Sequence, residues 1–326
     1  MIHTPVCDLL QIRHPIMLGG MAGSTSVPLV AAVSNAGGLG TLGIARTPAE
    51  QIQPQIGAIR EGTKNPFGVN FLLFLAREPA LDAALKTRPP VFSAAWARAD
   101  QDLKSLFGRA HDAGSKVMYM VGTVPEALRA KAAGADVIVA QGTEGGGHVG
   151  WMASMTLLPM IVDAVGSTPV VAAGGIADGR GLAAALALGA QGALLGTRFL
   201  ATKESPLHPN FKQAVLDSDG HDTVLTEIPD VARDNVWPGA MARALRNEFI
   251  ERWAGREWEL RARQPEALAS LQRAAAAGDA DDAALLIGQD AGLIHDIPAA
   301  GEIVERIVAE AEALLKGRLP KLVVAG

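Results

Sequence analysis

The 326-residue chain has one cysteine, Cys7, one tyrosine, and no run rich in lysine or arginine. A lone cysteine excludes an intramolecular disulfide framework and suits a reducing compartment. With aromatics at 4% and a net charge of -5, a groove that tracks phosphates and stacks bases is not expected, which sets nucleic acid aside as a partner. No apolar run reaches the ~18 residues that a membrane span needs, and no basic segment leads into an apolar core near the start, so no membrane partner is expected and the cytoplasm is the expected location. The seven histidines form no close i,i+4 ligand pair, so no metal site is expected, and the G-x-S-x-G elbow of serine hydrolases is missing. Against these absences stand 49% apolar and only 19% charged residues, enough core material for a soluble globular enzyme.

Apolar runs of strand length alternate with helical runs from His14 onward, the pattern of a parallel sheet with helical crossovers. Strands are expected at residues 14–20, 39–45, 67–74, 90–96, 116–122, 135–141, 169–175 and 192–199. Helices are expected between them, several closed by glycine as a left-handed cap (Gly37, Gly114, Gly134 and Gly189). Eight such units predict an α/β fold, a closed (β/α)₈ TIM barrel, where a doubly wound sheet would more often stop at five to seven strands. The pattern lapses between residues 202 and 296, where helical spacing at 243–259 and 265–277 replaces clean strands, and it resumes in a long amphipathic run at 299–315. The expected organisation is therefore a barrel from residues 1–201 and 297–326, with a smaller helical substrate or lid domain, 202–296, inserted between the eighth strand and the final helix.

In a barrel, functional residues gather at the carboxyl ends of the strands. The sixth strand runs into Gln141-Gly142-Thr143-Glu144-Gly145-Gly146-Gly147-His148-Val149-Gly150, where five glycines in nine residues let a flat ligand approach the backbone. His148, with an ordinary pKa near 6.5, can act as base, acid or donor at neutral pH. Glu144 and Lys131 are further acid–base candidates, though Lys131 falls within a helix and reads as a solvated residue. Ala173-Gly174-Gly175 after the seventh strand and Gly196-Thr197 after the eighth form the arrangement expected to hold a phosphate monoester, so bulk at Gly174 or Gly196 is expected to harm cofactor binding more than folding. Asn70 and Gln141 each present a donor and an acceptor suited to the edge of a heterocycle, and Gly20-Met21-Ala22 would lie beside that ring.

These residues resemble the nitronate monooxygenase (2-nitropropane dioxygenase) family of FMN-dependent barrels, and also the flavin-dependent enoyl-acyl-carrier-protein reductases of type II. The match spans nearly the whole chain: His14-Pro15-Ile16-Met17 through Gly20-Met21, Ser34 to Gly40, Pro66-Phe67-Gly68-Val69-Asn70, Gln141 to Gly150, Ala173 to Gly179, Gly196-Thr197-Arg198-Phe199 and Gly288-Gln289-Asp290-Ala291-Gly292. The resemblance implies FMN as cofactor, His148 as catalytic residue, the FMN phosphate on Ala173, Gly174, Gly175, Gly196 and Thr197, and the isoalloxazine near Gly20, Met21, Asn70, Gln141 and Gly146. Ala22 and Gln289 are carried as further cofactor-binding residues. Gln141 is similar to the monooxygenase pattern. Met155-Thr156-Leu157 and His208-Pro209-Asn210-Phe211-Lys212 are similar to the reductase branch, and Met120 stands where quinone-reducing relatives place a lysine. Three activities stay open at this point: oxidation of alkyl nitronates, and of nitroalkanes whose α-proton is removed first, by O₂ to a carbonyl compound and nitrite; NAD(P)H-dependent reduction of an enoyl thioester or quinone; and binding of FMN or a phosphorylated metabolite without turnover. The expected partners are a small anionic substrate and O₂, and a homodimer is left open.

Overall fold

A computed structural model describes residues 2–322; Met1 and 323–326, the last of which end the expected barrel segment 297–326, lie outside the described residues. The strands, in chain order, are β1 Ile16–Leu18, β2 Gly40–Gly43, β3 Phe67–Leu72, β4 Val91–Ala95, β5 Lys116–Val121, β6 Val137–Gln141, β7 Gly147–Val149, β8 Val170–Ala173, β9 Ala193–Leu195, β10 Thr223–Thr226 and β11 Met241–Leu245. Eight of them form one parallel sheet in the order β1-β9-β8-β6-β5-β4-β3-β2, and a parallel bridge from Met17 to Leu39 draws its two edges together into a barrel. Each of the eight falls inside a run expected from the sequence. The run 192–199 is shorter than expected as a strand, because Thr197–Leu200 turns into a helix.

Capping explains the helix starts. The side chains of Ser26, Asp102, Thr123 and Asp178 each accept a backbone N–H from the first turn that follows. Gly134 then ends the helix Val124–Ala133 at φ 98°, a left-handed cap that costs a residue with a Cβ more. The inside of the barrel is apolar: Met17, Leu39, Val91, Met118, Val137, Val139, Val171 and Leu194 are buried together. The short helix Pro5–Leu10, not expected from the sequence, seals this core with Val6, Cys7 and Leu10, and Thr4 Oγ1 donates to the carbonyl of Gln191 just before β9. Cys7 is thus a core residue at the floor of the barrel. Each such side chain contributes about 1.5–3 kcal/mol on burial, so the floor carries stability and leaves the opposite rim to the loops.

Residues 202–296 lie between β9 and the last long helix, Ala300–Ala313. The helix Gln264–Ala277 matches the sequence reading, but the expected helix at 243–259 does not form as one element. Met241–Leu245 is a strand, and the helices Glu248–Trp253 and Glu257–Ala262 follow, parted at Gly255. The alternation around Arg243 is satisfied by antiparallel pairing with β10 on one side and β7 on the other, tertiary pairing that overrides the helical preference of alanine. The block is therefore mixed, and its sheet includes the strand that carries His148.

Asn247 joins these pieces. It caps the helix Glu248–Trp253 by accepting from Ile250 N–H at 3.1 Å and donates to the carbonyls of Ala280 and Ala283 at 2.8 and 2.6 Å. Asn247→Ala removes the cap and strands two carbonyls, so the expected loss is about 2–4 kcal/mol, to be read from the urea unfolding midpoint at unchanged m-value.

Candidate active site

Adjacent strand ends bring most of the expected residues to one rim. Asn70 is in register with Gly43 and Ser93, and Gln141 with Ala173. Asn70 is buried and its Nδ2 donates to Ser93 Oγ at 3.0 Å. Gly20 faces it so closely that any β-carbon there would overlap the Asn70 side chain. Met21 brackets the other flank: its Sδ would lie 3.3 Å from a β-carbon on Gly196. Ala22 holds a left-handed φ of 47° where it passes the end of β2, a strained conformation typical of sites whose backbone path is fixed by its surroundings.

On the other side, Gln141 is buried at the end of β6, and its Oε1 has no hydrogen-bond partner among the described residues. An unsatisfied buried acceptor costs about 1–3 kcal/mol, so a donor belongs in front of it. The glycines beyond serve two different purposes. Gly174, at φ 90°, lies against the histidine loop: a β-carbon would sit 2.8 Å from the carbonyl oxygen of Gly142 and 3.1 Å from the nitrogen of Gly145. Gly146 packs on the inserted block, 2.5 Å from the nitrogen of Gly288 by the same measure. Their bare backbones therefore answer first to close chain packing, and the expectation that bulk at Gly174 would spare the fold is corrected. Gly196 differs, since only the flexible Met21 thioether stands near it.

The remaining contacts fasten this rim to the inserted block. Thr197 is buried and its Oγ1 accepts the Gly288 N–H at 3.0 Å. Gln289 is exposed, and its backbone N–H reaches the Glu144 carbonyl at 2.9 Å. Asp290 is buried beside Thr197; burial pushes its carboxyl up to about 7, against the pull of its own N–H, the Thr197 hydroxyl and the Arg198 charge. Glu144, an acid–base candidate from the sequence, spends its carboxylate on the N–H and hydroxyl of Ser154 at the start of the next helix, with contacts of 2.9 to 3.0 Å. Lys131 is exposed in the last turn of its helix. Arg243, which the sequence did not single out, is buried under the loop and donates to the Thr143 carbonyl at 2.8 Å and to Thr223 Oγ1 at 3.2 Å.

His148 sits in β7, paired with Ala242 of β11. Its Nε2 lies 2.8 Å from Asp230 Oδ2, with side chains only 10% and 9% exposed. The indole of Trp237 stacks on the imidazole, ring centroids 3.3 Å apart and planes 10° from parallel, and its Nε1 donates to Asp230 Oδ1 at 2.9 Å. Trp237 also meets Phe74 at 4.5 Å and, edge-on, Trp96 at 6.1 Å. Burial lowers the His148 pKa below 6.5, partly offset by the hydrogen bond and charge of Asp230, so the imidazole is neutral at pH 7. A carboxylate only accepts, so Nε2 carries the proton and Nδ1, which has no protein partner among the described residues, keeps its lone pair. Asp230 and Trp237 were not legible as site residues: 82 positions separate Asp230 from His148 and no local motif surrounds it.

The donor set fits FMN. Gln141 Oε1 awaits a donor such as a ring N–H, Asn70 lies across the same rim, and the successive positive φ angles of Gly174 and Gly175 turn the backbone after β8.

Comparison with known proteins agrees with the barrel fold. A family model described as nitronate monooxygenase matches residues 3–99 and 79–310. The chain is similar, at 36% identity over 95% of its length and 96% of the relative's, to a (3aS,4S,5R,7aS)-5-hydroxy-7a-methyl-1-oxo-octahydro-1H-indene-4-carboxyl-CoA dehydrogenase of Mycobacterium tuberculosis (strain ATCC 25618 / H37Rv). Among solved structures it resembles FabK from Thermotoga maritima, with TM-score 0.89 and 35% identity over 99% of this chain and 100% of that one. It also resembles a nitroalkane oxidase from Streptomyces ansochromogenes, with TM-score 0.81 and 30% identity over 94% and 97%.

The two kinds of glycine give a test. Gly174→Ala forces a side chain onto a left-handed backbone against Gly142 and should destabilise by about 1–3 kcal/mol, whereas Gly196→Ala should change stability by less than about 0.5 kcal/mol; thermal unfolding of the two variants measures the contrast.

Proposed function

Because the chain belongs to the nitronate monooxygenase family and is an oxidoreductase of that kind, we propose that it oxidises alkyl nitronates, and nitroalkanes after removal of their α-proton, with O₂ as oxidant, to a carbonyl compound and nitrite. The observation that carries this reading is the neutral, largely buried His148 with Nδ1 as its free nitrogen among the described residues. Bound FMN would supply the redox chemistry between the organic substrate and O₂. Gln141 and Asn70 would hold the edge of its ring system, with Met21 beside it, and Ala173, Gly174, Gly175, Gly196 and Thr197 would hold its phosphate.

The protein's own part is the proton. Nδ1 takes the α-proton of a nitroalkane; the imidazolium so formed is stabilised by the Asp230 carboxylate and donates back to the nitro oxygen, which has become anionic. The aromatic side chains of Phe74, Trp96 and Trp237 keep water from that exchange. The inserted block, which delivers Asp230 and Trp237, is the part that shapes the substrate pocket.

A second reading, NAD(P)H-dependent reduction of an enoyl thioester, is favoured by the similarity to FabK and to a dehydrogenase that acts on a CoA thioester. Anaerobic rapid mixing separates the two. Fast bleaching of the flavin by a nitronate and slow bleaching by NADH and NADPH is the expected result; fast bleaching by a nicotinamide would favour the reductase, and mass analysis of the released cofactor should give FMN.

His148→Asn keeps a donor but cannot take up a proton near neutrality. Turnover of neutral nitroalkanes should fall about 10²–10⁴-fold, with preformed nitronates much less affected and flavin content unchanged. In the wild type, kcat/KM for nitroalkanes should fall only as pH drops below 6.5, because the depressed pKa keeps the base unprotonated down to that point; an acid limb above 6.5 contradicts the assignment.

A further inference from the structure

We propose that Asp230 is the positioning residue of this site, a carboxylate that sets the tautomer of His148 with one oxygen and holds Trp237 over the same imidazole with the other. The inference rests on the reading of His148 as base and adds a group that acts through it. Two donors converge on one side chain: His148 Nε2 on Oδ2 at 2.8 Å and Trp237 Nε1 on Oδ1 at 2.9 Å. The donors reach different oxygens, an arrangement a carboxylate satisfies with an acceptor at each end. An indole can only donate, so Trp237 claims one oxygen whatever the histidine does, and the remaining oxygen requires a proton on Nε2. Nδ1 is left unprotonated by elimination.

The placement of Asp230 is over-determined. It lies in the helix Ile228–Ala232, donates its N–H to the Glu227 carbonyl and accepts from the N–H groups of Arg233 and Asn235. It is the acidic group that acts on the imidazole; the basic one is Arg233, which caps the same helix, with Arg46 of the barrel acting on Arg233 and held to Asn235. The barrel side presents the uncharged rings of Phe74 and Trp96 through Trp237, and Arg243 on the neighbouring strand is engaged with Thr143 and Thr223. One carboxylate therefore couples base and cover: the indole that Asp230 tethers is also the ring stacked on the histidine.

The substitution Asp230→Asn tests this at nearly constant shape. Asparagine has one acceptor where two donors demand two, so either its carbonyl keeps Trp237 and its amide forces the proton from Nε2 to Nδ1, or it keeps His148 and Trp237 is released. Imidazole ¹⁵N NMR of the flavin-loaded protein, with the His148 signal assigned by its loss in His148→Gln, reads the tautomer without any turnover. Failure of this proposal is therefore distinguishable from failure of the nitronate reading. The wild type should show Nε2–H with unprotonated Nδ1 above its pKa. Asp230→Asn should invert the tautomer or free Trp237, seen as faster exchange of its indole N–H, and should move the His148 titration to lower pH because the stabilising carboxylate is gone. Turnover of a proton-bearing nitroalkane should then fall about 10²–10⁴-fold in kcat with little change in KM. A wild-type Nδ1–H tautomer overturns the proposal even where the variant does not fold; so does a folded Asp230→Asn with unaltered tautomer, indole exchange and titration.

Discussion

The antiparallel pairing of β7 with β11 is the constraint on which the site depends. It is three residues long on the β7 side, yet with the Gln289 N–H to the Glu144 carbonyl it is how the backbone of the inserted block grips the glycine loop, with Ala242 opposite His148 and Arg243 opposite Gly147. Without it, His148 would lose the strand pairing that sets its place. With it, the imidazole occupies a fixed place on a sheet, and Asp230 and Trp237 are brought from elsewhere in the chain to meet it. The barrel rim alone brings Gly20, Asn70 and Gln141 together; the contacts of His148 with Asp230 and Trp237 exist only where rim and insertion meet.

Arg243 shows what holding such a loop requires. Its buried guanidinium reaches the Thr143 carbonyl through the same strand that pairs with β7, so side-chain and main-chain contacts secure the loop from below. Burial works against the charge and Glu144 works for it. Glu144 in turn is fixed by Ser154 and Gln289. The polar groups around the glycines are mostly occupied with one another, which explains why Gln141 Oε1 stands out among them as an acceptor without a donor.

The sequence disclosed the barrel well because its strands are short buried apolar runs and several of its helices have local start and stop signals: Thr123 and Gly134 bracket one helix without reference to anything distant. The rim residues were legible for a related reason, since strand ends mark where a barrel works. The insertion was not. Met241-Ala242-Arg243-Ala244-Leu245 contains good helix formers, and only neighbours far along the chain make it a strand. Asp230 and Trp237 were invisible as partners because their meaning lies in a convergence on His148, and a spacing of 82 residues leaves no periodicity to read. Gly174 and Gly146 were found but given one purpose, while the structure gives their bare backbones to packing as well.

The position of the insertion also shapes how the molecule is made. The helix Ala300–Ala313 packs between the first barrel helix, through Gly301 against Ala36, and the helix Gly179–Ala187, where Glu310 accepts the Gly179 N–H. During synthesis all eight barrel strands leave the ribosome before this last wall exists, and the whole of the inserted block emerges in the interval. The nascent barrel must wait with an apolar seam uncovered, along Ile303, Val304 and Ile307 of the missing helix, until the inserted block has been made. Contacts so distant in sequence form slowly, and an exposed seam invites association. The insertion therefore leaves that seam uncovered for longer than it would be in a barrel of uninterrupted order.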